Sequence, residues 1–203
     1  MMEGKTEDKT TLRIEAFSDA IFAFSMTLLV FSIKTPDVPD NAVPGDITVW
    51  LLGLLPKFFI YIFTFIIVGI YWIAHHRTFE HIIRHDGKLM WLNLAFLLVI
   101  SLLPFPTATL GEYGDNSEAV ALYALFMGLS GALLMAIWVY ATDGKRLVSK
   151  NLPDAEIRGT RARGLATACI FLLSAPLAFF DPTIAMLSWL AIPFVQGFMK
   201  KSA

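Results

Sequence analysis

The chain has 203 residues, of which 56% are apolar and only 16% charged, where a soluble domain carries roughly 25% charged residues. A mean hydropathy of +0.63 with so few charges excludes an ordinary soluble globular domain and makes lipid the solvent for much of the chain. Lys and Arg (16) balance Asp and Glu (17), so there is no basic field to attract nucleic acid, and the single cysteine, Cys169, excludes both an intrachain disulfide scaffold and a CxxC metal site.

Stretches free of Asp, Glu, Lys and Arg run Ala20–Ile33, Phe58–His76, Leu89–Gly111, Ala119–Thr142, Gly164–Phe180 and Pro182–Met199. A helix needs about 20 apolar residues to cross about 30 Å of hydrocarbon. The pattern therefore predicts an all-α, polytopic membrane protein with six transmembrane helices at roughly 13–34, 47–75, 88–110, 117–142, 160–180 and 183–200, forming one membrane domain over 1–203. The first helix reaches spanning length only by extending back toward Arg13, which carries Ser18 and Asp19 about a turn into the membrane. Pro56 falls within the second helix, and Pro104-Phe105-Pro106 is expected to bend or end the third. The fifth and sixth, parted only by Asp181-Pro182, are expected to form a tight hairpin.

Orientation follows from the basic residues. Lys5, Lys9 and Arg13 precede helix 1. Arg77, Arg84 and Lys88 lie between helices 2 and 3. Lys145, Arg146, Lys150, Arg158, Arg161 and Arg163 lie between helices 4 and 5, and Lys200 and Lys201 follow helix 6. With six crossings all of these fall on one side, against Lys34 and Lys57 on the other, so both termini are expected in the cytoplasm. The polar start, Met1–Thr11, and the lack of an A-x-A-like site after the apolar run do not read as a secretory signal peptide.

Polar groups at membrane depth are costly and usually face the bundle interior. Asp19, His76 and Asn93 are expected at similar depth near the cytoplasmic ends of helices 1, 2 and 3, with the Trp72 N–H in reach of the carboxylate. Their convergence would make a staple holding the three helices, or a proton relay or ion site. Ser18, Asp19 and His76 supply the residue types of a hydrolytic triad, but neighbours on a helix point about 100° apart and nothing marks an oxyanion hole. His75, His76, His81 and His85 match no metal-binding spacing and read as the edge of a solvated loop, and no nucleotide-binding glycine motif is present.

The block Arg13-Ile14-Glu15-Ala16-Phe17-Ser18-Asp19 resembles the RxxxFSD signature of the transmembrane protein 175 family, the endolysosomal potassium channels and their prokaryotic relatives. Tyr71-Trp72-Ile73-Ala74-His75-His76-Arg77 resembles the family's Trp/His end of helix 2. Leu92-Asn93-Leu94 with Leu102-Leu103-Pro104-Phe105-Pro106-Thr107 resembles its helix 3. One copy of the signature in a chain of this length is similar to the prokaryotic single-repeat form, which implies a homotetramer in the cell membrane.

The resemblance further implies a potassium-selective cation channel with helix 1 lining a central pore, K+ as permeant ion, no TVGYG filter, no cofactor and no covalent chemistry. It implies a signature hydrogen-bond network of Arg13, Phe17, Ser18, Asp19, Trp72, His76 and Asn93. Carried over by position, its constriction rings fall on Phe24, Leu28 and Phe31, with Thr27 as the pore hydroxyl; Phe24 stands where the family usually has an aliphatic residue. On a helical wheel Phe17, Leu28 and Phe31 lie within about 40° of Phe24, and Asp19 about 140° away, so a pore stripe and a packing staple fit on separate faces of one helix. Two other readings remain: a proton-coupled secondary transporter using Asp19 and His76, and a membrane protein that binds a partner without passing ions.

Overall fold

The computed structural model describes residues 3–33 and 46–194, and within these it is all-α. Helix α1 is Glu3–Leu28, followed by a 3-10 turn, Leu29–Ser32. Next come α2 (Asp46–Gly53), α3 (Leu55–Glu80), α4 (Gly87–Leu102), α5 (Pro104–Glu112), α6 (Ser117–Thr142), α7 (Asp154–Leu177) and α8 (Pro182–Ser188). Among the described residues four apolar stretches are long enough to cross a bilayer: Leu12–Ser32, Thr48–Glu80, Gly87–Glu112 and Ser117–Lys145. The molecule is a polytopic membrane protein.

Several boundaries differ from those expected from apolar length. Helix α1 begins ten residues before Arg13, because the polar lead contains no proline and its one glycine, Gly4, lies in the opening turn. The second span is interrupted at Leu54, where Pro56 sits in the first turn of α3 and supplies no N–H to the preceding turn, and α3 runs on to Glu80. The third breaks at Leu103, ahead of Pro104 at the start of α5.

The fifth helix begins at Asp154 and ends at Leu177, with Pro176 in its last turn. Its first ten residues carry Asp154, Glu156, Arg158, Arg161 and Arg163, so only the part from Gly164 onward is continuously free of charge. At 1.5 Å per residue that part covers only about 20 Å, short of the hydrocarbon thickness. Pro182–Phe194 is a shorter apolar helical stretch. The expected end of the sixth helix near residue 200, Lys34, and Lys200 and Lys201 lie outside the described residues.

The starts of α4, α6 and α8 are capped by side chains. Asp86 accepts from the Leu89 N–H, Asn116 from Glu118 and Ala119, and Asp181 from Thr183 and Ile184. Helix α6 is the central post and packs most closely on α7. Leu172 lies 2.6 Å from where a Cβ on Gly128 would stand, and Ala168 lies 3.3 Å from that of Gly131. Small residues here let two backbones approach, the usual source of helix adhesion in lipid. Trp189, after α8, closes the hairpin by donating to Ser174 Oγ (2.7 Å) and stacking on Phe63 (6.0 Å).

Candidate functional site

Ser18 and Asp19 are adjacent in sequence, and about 100° of helical rotation sends them to different neighbours. Ser18 is fully buried. Its hydroxyl donates to the Ile14 carbonyl (2.9 Å) and accepts from Asn93 Nδ2 (3.1 Å), while Asn93 Oδ1 lies 2.9 Å from His75 Nε2. With the amide nitrogen engaged by Ser18, Oδ1 is the acceptor and His75 donates its Nε2–H. The imidazole lies against Phe79 (4.4 Å), Phe96 (5.6 Å) and Phe22 (5.8 Å). This series of bonds links α3, α4 and α1 and ends on a backbone carbonyl.

Asp19 lies on the exposed side of α1 and accepts from Trp72 Nε1–H at 2.8 Å. Trp72 stacks on His76 (6.1 Å), and His76 Nε2 lies 3.4 Å from Glu80 Oε1. The expected convergence of Asp19, His76 and Asn93 is thus divided in two: Asn93 is bonded to His75, and His76 belongs with Asp19 and Trp72 on the exposed side. The sequence carries a signal for this division. Residues four before and after His75 are Tyr71 and Phe79, both buried, whereas those around His76 are Trp72 and Glu80, and a carboxylate at that spacing marks the water-facing stripe. Arg13 and Phe17 are exposed and enter neither set of bonds among the described residues.

Further along α1 the two sides diverge again. Phe22, Ser25 and Leu29 are each 1% exposed, whereas Phe24 is 62% and Phe31 75% exposed. Thr27 is also exposed, its hydroxyl donating to the Phe24 carbonyl at 2.7 Å, and Leu28 is half-buried. The stripe Phe17, Phe24 and Phe31 therefore faces away from the chain's own core. Ser25 Oγ, on the inner side, is buried without a hydrogen-bond partner among the described residues. Of the remaining histidines, His81 pairs with Glu156 (3.0 Å) and lies edge-on to Trp138. Among the described residues no group of three or more His, Cys, Asp or Glu is placed to hold a metal ion.

These elements define a class: an all-α, multi-pass membrane protein whose first helix has a polar lock on one side and an uncovered aromatic stripe on the other. The sequence profile of the family described as "Endosomal/lysosomal potassium channel TMEM175" matches residues 13–104. A potassium channel of Streptomyces collinus is 32% identical over 190 residues, covering 92% of this chain and 91% of that protein. A potassium channel of a Chryseobacterium species is 30% identical over 174 residues, covering 86% and 85%. The crystal structure of a lysosomal potassium-selective channel TMEM175 homolog from Chamaesiphon minutus has the same fold, with a TM-score of 0.79 at 24% identity over 94% of this chain and 98% of that one. The chain belongs to the TMEM175 family, an ion-channel family, and is not an enzyme.

Proposed function

We propose that this protein is a potassium-selective channel of the cell membrane, assembled as a homotetramer in which four copies of α1 surround a central pore. Rings of Phe24, Leu28 and Phe31 would form the constriction, with Thr27 supplying a hydroxyl between them. The observation that carries this reading is the exposure of Phe24, Thr27 and Phe31 on a helix whose opposite side is fully buried in its own subunit. A narrow apolar ring selects by the dehydration it demands of a passing cation, and it exists only where several copies meet on one axis. The potassium channels of S. collinus and Chryseobacterium, similar over most of their length, support K+ as the permeant ion.

The signature residues would then act behind the pore. The bonds from His75 through Asn93 and Ser18 hold α1 against α4 and α3. Trp72 holds Asp19 from the exposed side, so that the angular setting of the pore face is fixed from two directions. Reconstitution into liposomes under a K+ gradient, with Na+ substituted on one side, tests the reading. A flux that follows the electrical gradient, and a weakened K+/Na+ discrimination in Phe24→Ala and Leu28→Ala, are expected. Reversal potentials unchanged in both variants would overturn the rings, and saturation with counterflow would identify a carrier instead.

A further inference from the structure

The cytoplasmic ends of α3, α6 and α7 enclose a cavity of about 520 Å³ that the pore reading does not use. This is within the range of roughly 300–1,000 Å³ typical of ligand sites. Its inner wall is apolar, built from Ile70, Ile73 and Ala74 of α3 with Leu134 and Met135 of α6. Its rim is charged. The two carboxylates there are each met by a histidine, Glu80 by His76 at 3.4 Å and Glu156 by His81 at 3.0 Å. Arg163 donates to Thr160 Oγ1 at 3.1 Å. Arg77, exposed on the same rim, has no hydrogen bond or ion pair among the described residues.

An apolar wall beneath an unmatched guanidinium, at the level where the basic loops place the cytoplasmic headgroups, is complementary to an amphiphile with a phosphate at its head. Glu80 and Glu156 equal Arg77 and Arg163 in number on this rim, so the attraction for an anionic headgroup rests on Arg77, whose planar fork fits two phosphate oxygens. We propose that the cleft seats an anionic phospholipid of the cytoplasmic leaflet, with its phosphate on Arg77 and an acyl chain along Ile70, Ile73 and Ala74. The occupant would bridge α3 to α7, so it would stiffen the cytoplasmic end of the subunit whether or not α1 lines a pore.

The test uses the full chain purified in detergent, with phosphatidylglycerol, phosphatidylcholine of the same chains, or inorganic phosphate added. Lipid retention is read by native mass spectrometry and melting by intrinsic fluorescence. Wild type should retain phosphatidylglycerol over phosphatidylcholine by about fivefold, the weight of one basic residue near a charged surface. It should also melt higher with phosphatidylglycerol, and inorganic phosphate should leave the melting unchanged. Arg77→Gln should lose the preference, and Arg84→Gln, outside the cavity, should keep it. Ile73→Trp, which fills the cleft from an exposed position, should lose retention of both lipids and provides the test should Arg77→Gln not purify. Equal retention of the two lipids by wild type, an intact preference in Arg77→Gln or Ile73→Trp, or a shift reproduced by inorganic phosphate would each overturn the proposal.

Discussion

Phe22 and Phe24 lie two residues apart on α1 in opposite surroundings: Phe22 packs against His75 and Phe96, while Phe24 is left largely uncovered by the rest of the described chain. In water such a difference would be set by hydrophobicity, but lipid tails are as apolar as either ring and do not drive one of them inward. What separates the two sides is their polar content. The buried side carries Ser18, Ser25 and Ser32; the uncovered side has Asp19, which is held by the Trp72 N–H, and beyond it Thr27, whose hydroxyl is turned back onto its own helix. On α1 the three serines thus lie on the side that its own chain covers, and the aromatic stripe of Phe17, Phe24 and Phe31 is free to face lipid or another copy.

The comparison is sharpest in a pair of truncations. Phe22→Ala empties a packed site between α1, α3 and α4, and we expect a loss of about 3 kcal/mol or more, as for buried aromatic residues generally. Phe24→Ala should change the melting of the purified protein by under about 1 kcal/mol, as an uncovered residue does, while altering K+/Na+ discrimination in liposomes. Thermal unfolding in detergent beside reversal potentials separates the two. Equal destabilisation by both variants would mean that Phe24 is covered within its own subunit or serves mainly in assembly.

Next in size is the polar lock. Asn93→Ala strips a partner from both Ser18 and His75 at once and should cost about 1–3 kcal/mol, the usual penalty for buried polar groups left unpaired. A melting curve matching wild type would show that water or relaxation replaces the amide. The adjacent histidines extend the test. His75→Ala removes a ring stacked on Phe79 and Phe96 and tilted against Phe22 and should be clearly destabilising, whereas His76→Ala on the exposed side should stay within about 0.5 kcal/mol. Reversal of that order would move the lock to His76.

The multi-pass all-α class was legible because charge-free runs and proline breaks are direct consequences of bilayer thickness and backbone hydrogen bonding. Helix ends were less so. Charge-free length ignores the polar turns that extend α1 back to Glu3 and the five charges that open α7 within an unbroken helix. The residue types of the lock were legible and its membership was not. Asp19 and Asn93 stand out by polarity, but the choice between His75 and His76 is an angular question, answered by Tyr71, Phe79 and Glu80 at helical spacing and not by the histidines themselves. The cleft above Ile73 was not legible at all, since it depends on where α3 and α7 part.

The smallest expected effect lies where the loop before α4 meets the end of α6, at the half-buried Asp86 and Tyr140. Asp86 caps α4 through the Leu89 N–H (2.8 Å) and accepts from the Tyr140 hydroxyl on α6 (2.6 Å); Arg146 and Lys88 lie over the Tyr140 ring at 4.5 and 4.8 Å. The Tyr140 hydrogen bond, then the Leu89 N–H, hold the Asp86 carboxyl below its ordinary value. Because the folded-state pKa is the lower one, the contribution of this contact is full above the usual aspartate range of about 4 and fades as pH falls through the folded value. Melting followed from neutral pH downward should therefore decline less steeply below the aspartate range in Asp86→Asn than in wild type. At neutral pH the two should differ little, since the amide oxygen still caps the helix and the site is open to solvent screening. Parallel curves would mean that the carboxylate gains nothing from Tyr140, and that the contact between α4 and α6 at this end rests on the cations over the ring.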